Sequence, residues 1–249
     1  MANLEELANQ LKLTYIRDNA ETLITEVRHK QQDYAEFLEM LLTHEAEKRT
    51  NNGILRRIIQ AKFPIKKYLV DFDRTKYDTA FAPKFQELET LKFIENKENI
   101  ILIGTPLAGK THYATALGIA ACMKGKSVLF STVPNLIIEL KEAMRQNQLS
   151  TYRKKFERFS LVILDELGYI SFDKNSCEIL FNLISNRHGK GSIIITTNLT
   201  FENWENLFKD PVLTSAIIDR LAHKAHILDI SREHGVRFEE TIAWMKNKA

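Results

Sequence analysis

Three short stretches of the chain hold residues able to act together on the phosphates of a nucleotide. The first is Gly104-Thr105-Pro106-Leu107-Ala108-Gly109-Lys110-Thr111, in which two glycines bracket a loop ending in Lys-Thr. Successive backbone N–H groups of such a loop can surround phosphate oxygens, and a helix starting at its end adds the positive end of its dipole. Lys110 then reaches the β- and γ-phosphates as a mobile point charge, and the Thr111 hydroxyl can ligate Mg²⁺. The second stretch is Leu161-Val162-Ile163-Leu164-Asp165-Glu166. Asp165 is placed to hold Mg²⁺, directly or through water, and Glu166 to take a proton from an attacking water. A carboxylate following Asp165 favours hydrolysis over transfer to another acceptor. The third is Asn198, behind another apolar run. Its amide can hold the water or contact the γ-phosphate, or it can simply cap a loop.

These groups need a scaffold. Ile100-Ile101-Leu102-Ile103 reads as a strand buried on both faces, and residues 113–121 as a helix. Strand, glycine-bounded loop and helix, in that order, are the context a P-loop requires. Further strands are expected at 127–131, 161–164, 192–197 and 226–230. Helices are expected at 83–96, from 133 onward, at 175–187 and at 214–221, with a short final helix at 239–249 anchored by Trp244. In open α/β sheets ligands bind beyond the carboxyl ends of strands, which is where Asp165 and Glu166 fall.

Ahead of this, residues 3–62 read as a small helical module. Leu4, Leu7, Ala8 and Leu11, then Phe37, Leu38, Leu41 and Leu42, then Ile54, Leu55, Ile58 and Ile59 keep helical spacing. Phe63-Pro64 closes the run, because proline disfavours helix in the residue before it. Residues 68–82 read as an extended linker whose apolar residues either pack or line an adenine pocket. Two stretches are basic. Lys48, Arg49, Arg56, Arg57, Lys62, Lys66 and Lys67 occur with no acidic residue among positions 48–67. Lys141, Arg145, Arg153, Lys154, Lys155 and Arg158 face only Glu142 and Glu157 across 141–158, with Tyr152 and Phe156 interleaved. Each is either a solvated helix face or a surface that meets DNA phosphates.

A length of 249 residues and a hydrophobic fraction of 44% allow a sizeable core, in one large domain or one plus a small one. The net charge of +3 does not by itself indicate a nucleic-acid partner. Residues 1–6 have neither a basic segment nor an apolar core, so no signal peptide is expected. No apolar run approaches the ~20 residues of a membrane span. Cys122 and Cys177 fall in predicted helices without metal-like spacing and read as buried reduced thiols of a cytoplasmic protein.

The segments GTPLAGKTH, LVILDELGY, IIITTN and SAIIDRLAH, in this order and spacing, resemble the motifs of AAA+ ATPases. The set most resembles the IstB-like ATP-binding proteins, the transposition helper ATPases of insertion sequences, which are relatives of the DnaC helicase loader and the DnaA initiator. The resemblance covers nearly the whole chain, including Asp71-Phe72-Asp73. It implies an α/β, AAA+ P-loop NTPase with a parallel five-stranded sheet flanked by helices. A small all-helical N-terminal domain (1–67) and a linker (68–82) would precede the ATPase domain (83–249). It also implies roles. Gly104 to Thr111 would be Walker A, with His112 beside it. Asp165 and Glu166 would be Walker B, and Asn198 sensor 1. Arg220 would be an arginine finger reaching the γ-phosphate of a neighbouring subunit's ATP, or else an arginine paired locally with Asp219. A finger acting in trans places ATP between subunits and builds a ring or spiral. Residues 134–158 resemble the element that lines the family's DNA path. The candidate DNA contacts are therefore Arg56, Arg57, Lys141, Arg145, Arg153, Lys154 and Lys155. No full C-terminal lid is expected after residue 231, and Arg237 is a candidate sensor-2 arginine. The family commonly has glycine at the Leu107 position, so loop conformation or nucleotide affinity is expected to differ here.

The expectation is thus a cytoplasmic ATPase that uses ATP and Mg²⁺, self-associates, and binds duplex DNA largely without sequence preference. It would assist the transposase of the same element, with hydrolysis driving disassembly or hand-over. Two alternatives stand beside it: a DnaC-like helicase loader, and a nucleotide-dependent binding module with no DNA role.

Overall fold

The computed structural model describes residues 2–30, 33–169 and 172–231. The expected helix at 239–249 with Trp244, the candidate Arg237 and the expectation of no full lid after residue 231 all concern positions outside the described residues. The chain divides into two compact units between Arg56 and Arg57. Among the described residues no helix is long and apolar enough to cross a membrane.

The first unit is helical, as its apolar spacing predicts: α1 (Ala2–Gln10), α2 (Thr14–Lys30) and most of α3 (Tyr34–Gln60). The start of α2 is capped from a distance. Glu45, only 4% exposed, accepts hydrogen bonds from the backbone N–H groups of Thr14, Tyr15 and Ile16. A buried carboxylate against three free N–H donors satisfies both the charge and the helix end. Ala8, Ala20 and Val27 are buried, whereas Leu4, Leu7, Leu11, Leu38 and Leu42 remain exposed.

The second unit opens with α4 (Ala82–Glu89) and α5 (Lys92–Glu95). It continues through β1 (Asn99–Ile103), α6 (Lys110–Met123), β2 (Val128–Thr132), α7 (Val133–Arg145), α8 (Leu149–Glu157) and β3 (Leu161–Leu167). It ends with α9 (Lys174–Arg187), β4 (Ser192–Thr197), α10 (Trp204–Phe208), α11 (Pro211–Ala222) and β5 (Ala225–Asp229). The five strands are parallel in the order β2-β3-β4-β1-β5. This is the expected sheet, and its order has a direct consequence. The motif-bearing strands β3, β4 and β1 are neighbours, so their carboxyl ends bring Asp165, Asn198 and the P-loop together although the chain separates them.

Burial explains the strand sequences. β1 and β4 are buried along their whole length, as continuous Ile/Leu runs in a covered parallel sheet require. On one side, α6 packs against β2, β3 and β4. Gly118 permits that approach, since a Cβ there would sit 2.7 Å from Ile163 Cδ1 and 2.8 Å from the Phe63 ring. A second layer buries Leu136, Leu140, Leu183, Trp204 and Ile217 in one core. Helix starts follow local chemistry. Thr132, Asp173 and Asp210 each accept a hydrogen bond from an N–H in the first turn of α7, α9 and α11.

Two expectations are corrected. The linker at 68–82 is not extended: it forms three 3₁₀ turns, Leu69–Asp71, Arg74–Lys76 and Thr79–Phe81. Asp73 and Asp78 accept from the N–H two residues on, a local bond that competes with extended backbone. The helix expected at 83–96 is two helices, broken where Leu91 adopts φ +64° and is itself buried. Tertiary burial of Leu91 prevails over helical continuity there.

Candidate nucleotide site

The loop between β1 and α6 closes on its own lysine. Lys110 Nζ donates to the carbonyls of Gly104 at 2.7 Å and Thr105 at 2.9 Å. Burial pushes the ammonium pKa down, while the charges of Asp165 and Asp229 act in the other direction. Gly109 has φ +92°, and a Cβ there would collide with the Tyr77 hydroxyl. Leu107 takes φ +65° and is 95% exposed, so the loop reaches its left-handed turn without a glycine. Pro106 and Thr105 complete the loop. Ala108 is buried, and its carbonyl accepts a 2.7 Å hydrogen bond from Tyr77.

Thr111, one residue into the helix, donates its hydroxyl to both carboxylate oxygens of Asp165, at 2.9 and 3.1 Å. Asp165 is 3% exposed and also accepts from the hydroxyl of Thr196 on β4. The Glu166 N–H donates to that same Thr196 oxygen at 3.1 Å. The β3–β4 register shifts between Leu164 and Leu167, and Glu166 takes φ +62°. The irregularity turns consecutive carboxylates to different surroundings: Asp165 inward to the threonines, Glu166 outward to solvent. Thr111 and Asp165 are hard oxygen donors side by side. Two protein oxygens, with phosphates and water completing the shell, suit Mg²⁺. No group of three or more His, Cys, Asp or Glu gathers elsewhere as a metal site among the described residues.

Asn198 follows β4 directly, and its Oδ1 is buried without a hydrogen-bond partner among the described residues. Gly168 with φ +106° lies beside it; a Cβ there would meet Leu199 at 2.6 Å and Asn198 Oδ1 at 3.2 Å. An orphaned acceptor at this strand end suits a residue that orients a water.

Next to the loop stands an aromatic group that the apolar content of 68–82 only hinted at. Phe72 stacks on Tyr77 at 5.1 Å and lies within 4.7 Å of the Tyr113 ring and 5.5 Å of His112. The His112 Nε2 is buried without a partner among the described residues, and burial, then the Lys67 charge, lowers its pKa. A 210 Å³ cavity lies between Phe72, Tyr77, Gly109 and His112, and a 390 Å³ one between Tyr77, Phe81 and Ile230. Thr196 and Tyr77 were not singled out by the sequence. A threonine in an apolar run reads as a strand former, and a tyrosine in a linker carries no spacing signal.

Arg220 lies elsewhere. It sits near the end of α11, and Asn99 at the start of β1 donates to the neighbouring Leu221 carbonyl. The P-loop leaves the other end of β1, roughly 13 Å away along the strand. The guanidinium is 3.8 Å from Asp219 and stacks over Phe181 at 5.3 Å.

The candidate DNA contacts differ in their freedom. Arg56, Arg145, Lys154 and Lys155 are exposed. Arg57 is half-buried and donates through Nε to the Cys122 carbonyl, and Lys141 pairs with Asp173 at 2.6 Å. Arg153 is half-buried with its Nε enclosed. Residues 134–158 form the two helices α7 and α8. Cys122 and Cys177 are both buried and free.

Comparison with known proteins agrees with this geometry. Residues 6–240 match the family described as IstB-like ATP binding protein. The ATP-binding protein of insertion sequence IS21 from Pseudomonas aeruginosa is 37% identical over 233 residues, covering 94% of this chain and 88% of that protein. The IS232 ATP-binding protein from Bacillus thuringiensis subsp. berliner is 33% identical over 220 residues, 88% of each chain. Among solved structures, AMPPCP-bound DnaA from Aquifex aeolicus shares the fold at a TM-score of 0.58 and 16% identity, over 75% of this chain and 56% of that one. The DnaC helicase loader does so at 0.52 and 19% identity, over 70% of this chain and 98% of that one.

Proposed function

The chain belongs to the IstB-like ATP-binding protein family of insertion sequences, with an AAA+ fold, and from that premise we propose that it is an ATPase that assembles on duplex DNA and assists the transposase of its element in choosing a target. The observation that carries the catalytic part is the Thr111–Asp165–Thr196 hydrogen-bond group with Glu166 turned outward beside it.

In this reading Lys110 leaves the Gly104 and Thr105 carbonyls and takes the β- and γ-phosphates of ATP. The P-loop N–H groups and the start of α6 hold the remaining phosphate charge. Mg²⁺ would be held by Thr111 and Asp165 and, when bound, neutralises charge on the terminal phosphates. Glu166 accepts the proton of the attacking water, and Asn198 orients that water. His112 and the Phe72–Tyr77 pair border the space beside the loop where the rest of the nucleotide lies.

Arg220 is too far from its own P-loop to serve it, which supports a finger supplied to a neighbouring copy. ATP then lies between subunits, and the contact repeats head to tail as a ring or spiral. Hydrolysis removes the γ-phosphate from that contact and loosens the assembly. We assign hydrolysis to residues 83–249, and oligomerisation, partner contacts and part of the DNA contacts to the helical module at 1–67, joined by 68–82. Arg56, Arg145, Lys154 and Lys155 are the freest of the candidate cations for DNA phosphates. Arg57 and Lys141 would contribute by exchanging their present contacts, and Arg153 by extending from its half-buried position. Phosphate contacts alone give binding with little sequence preference and strong salt dependence. The insertion-sequence names of relatives matched along most of the chain support transposition over helicase loading.

Glu166→Gln tests the catalytic assignment. ATP hydrolysis should fall by about 100-fold or more while binding of a fluorescent ATP analogue is kept. Hydrolysis at the unmodified rate would remove Glu166 as the base.

A further inference from the structure

A loop that surrounds phosphates turns its N–H groups inward, and each such group shares a rigid peptide plane with the carbonyl before it. In a trans peptide the two point in opposite directions, so whatever holds the carbonyl also aims the N–H. In the loop between β1 and α6, the peptide joining Ala108 to Gly109 has no steric lock of its own. Gly109 has φ +92°, and glycine tolerates either sign of φ, so its backbone alone does not keep its N–H aimed. The lock comes from outside the loop. The Ala108 carbonyl accepts a hydrogen bond from the Tyr77 hydroxyl at 2.7 Å, the single bond made to it among the described residues. Ala108 is 4% exposed, so little water can take the place of that donor. The fit is mutual, because a Cβ on Gly109 would collide with the same hydroxyl.

The tyrosine is itself held. Its ring stacks on Phe72 with centroids 5.1 Å apart and meets the edge of Phe85 at 5.5 Å. Its N–H donates to the Arg74 carbonyl at 3.2 Å, which closes the second 3₁₀ turn. Arg74 donates to both carboxylate oxygens of Glu89 on α4, at 2.8 and 2.9 Å, and to the carbonyls of Leu69 and Phe72. The folded segment at 69–81 therefore sets a fixed phenol beside the loop, which an extended linker would not do.

We infer that Tyr77 is a positioning residue for phosphate binding: by holding the Ala108 carbonyl it keeps the Gly109 N–H aimed at the phosphates of the nucleotide. The inference rests on the ATPase reading above and adds to it the part played by 68–82. Because the hydroxyl is committed to the loop, its effect falls on the phosphates and not on the base.

The test uses the full chain and Tyr77→Phe, which keeps the ring and its stack and removes only the hydroxyl. Folding is checked by thermal unfolding. Binding is read by displacement of a fluorescent ATP analogue, with ATP and inorganic tripolyphosphate as competitors, and turnover by phosphate release. Loss of the lock should weaken both competitors by about tenfold and raise KM by a similar factor. The kcat should stay within about twofold, because Glu166 and Asn198 are untouched. Gly109→Ala already displaces the hydroxyl by collision. Gly109→Ala/Tyr77→Phe should therefore bind tripolyphosphate no more weakly than Gly109→Ala alone. If Tyr77→Phe binds both competitors like the parent, or weakens ATP and leaves tripolyphosphate unchanged, the lock is wrong. Additive losses in the double variant, or a fall in kcat at unchanged KM, would also overturn it. Each of those results leaves the ATPase reading standing, whereas a parent protein that neither binds nor hydrolyses ATP removes that reading and the lock with it.

Discussion

Asp165 keeps its orientation through two hydroxyls, and one of them, Thr196, also holds the backbone of Glu166. Thr196→Val keeps the side-chain shape but leaves a buried carboxylate short of a donor and the Glu166 N–H without its acceptor. The expected cost is about 1–3 kcal/mol by denaturant unfolding, with weaker Mg²⁺-dependent binding of an ATP analogue. Thr196→Ser should recover most of both. Equal behaviour of Val and Thr at 196 would contradict the role given to this hydroxyl. Away from the site, Asp173 is held at about 2, below its ordinary 3.8, by Lys141 and then by the backbone and side chain of Ser176. A depressed carboxylate contributes stability that is complete above 3.8 and is lost as the pH falls through about 2. Lys141→Ala should raise the Asp173 pKa toward its ordinary value, as followed by carboxyl NMR titration; an unmoved pKa would return the shift to Ser176 alone. Residue types were legible at this scale because phosphate chemistry uses few of them in fixed order. The turn at Glu166 was not, since nothing in Asp-Glu-Leu-Gly signals which carboxylate points inward.

At the scale of elements, strands were readable because a covered parallel strand is an unbroken apolar run, as in β1, β3 and β4. The linker was not, because Asp-capped 3₁₀ turns and an extended segment draw on the same polar and aromatic residues. The α4–α5 break depends on burial of Leu91, and α10 buries Trp204 and Phe208 within five residues, too few to show a helical period. The turn after β3 leaves no room for a side chain at Gly168. Gly168→Ala must force a side chain into φ +106° against Leu199, so it should cost about 1–3 kcal/mol by denaturant unfolding and displace Asn198. Unchanged stability would mean that the turn relaxes without strain. On α8, Lys154→Glu/Lys155→Glu exchanges exposed positive charge for negative. Duplex affinity should fall by about tenfold or more, with a shallower salt dependence in a titration at several ionic strengths. Unchanged affinity would return this face to a solvated surface.

For the whole molecule, sheet order explains why motifs far apart in sequence form one site, and why Arg220 cannot join it within the same chain. β1 carries the P-loop at one end and the α11–β5 turn at the other, so the head-to-tail stack proposed above would set one copy's arginine toward the next copy's nucleotide. The five strands foretold an α/β domain, but the order β2-β3-β4-β1-β5 depends on crossovers that leave no mark in any single segment. The central claim is that ATP held between copies drives assembly on DNA. Sedimentation of the Glu166→Gln protein with duplex DNA, in ATP and in ADP, tests it most directly. Large DNA-bound assemblies in ATP that disappear in ADP and in Arg220→Ala are the predicted result. A monomer whose sedimentation is indifferent to nucleotide and to duplex would contradict the account, leaving a nucleotide-binding fold without the assembly proposed for it.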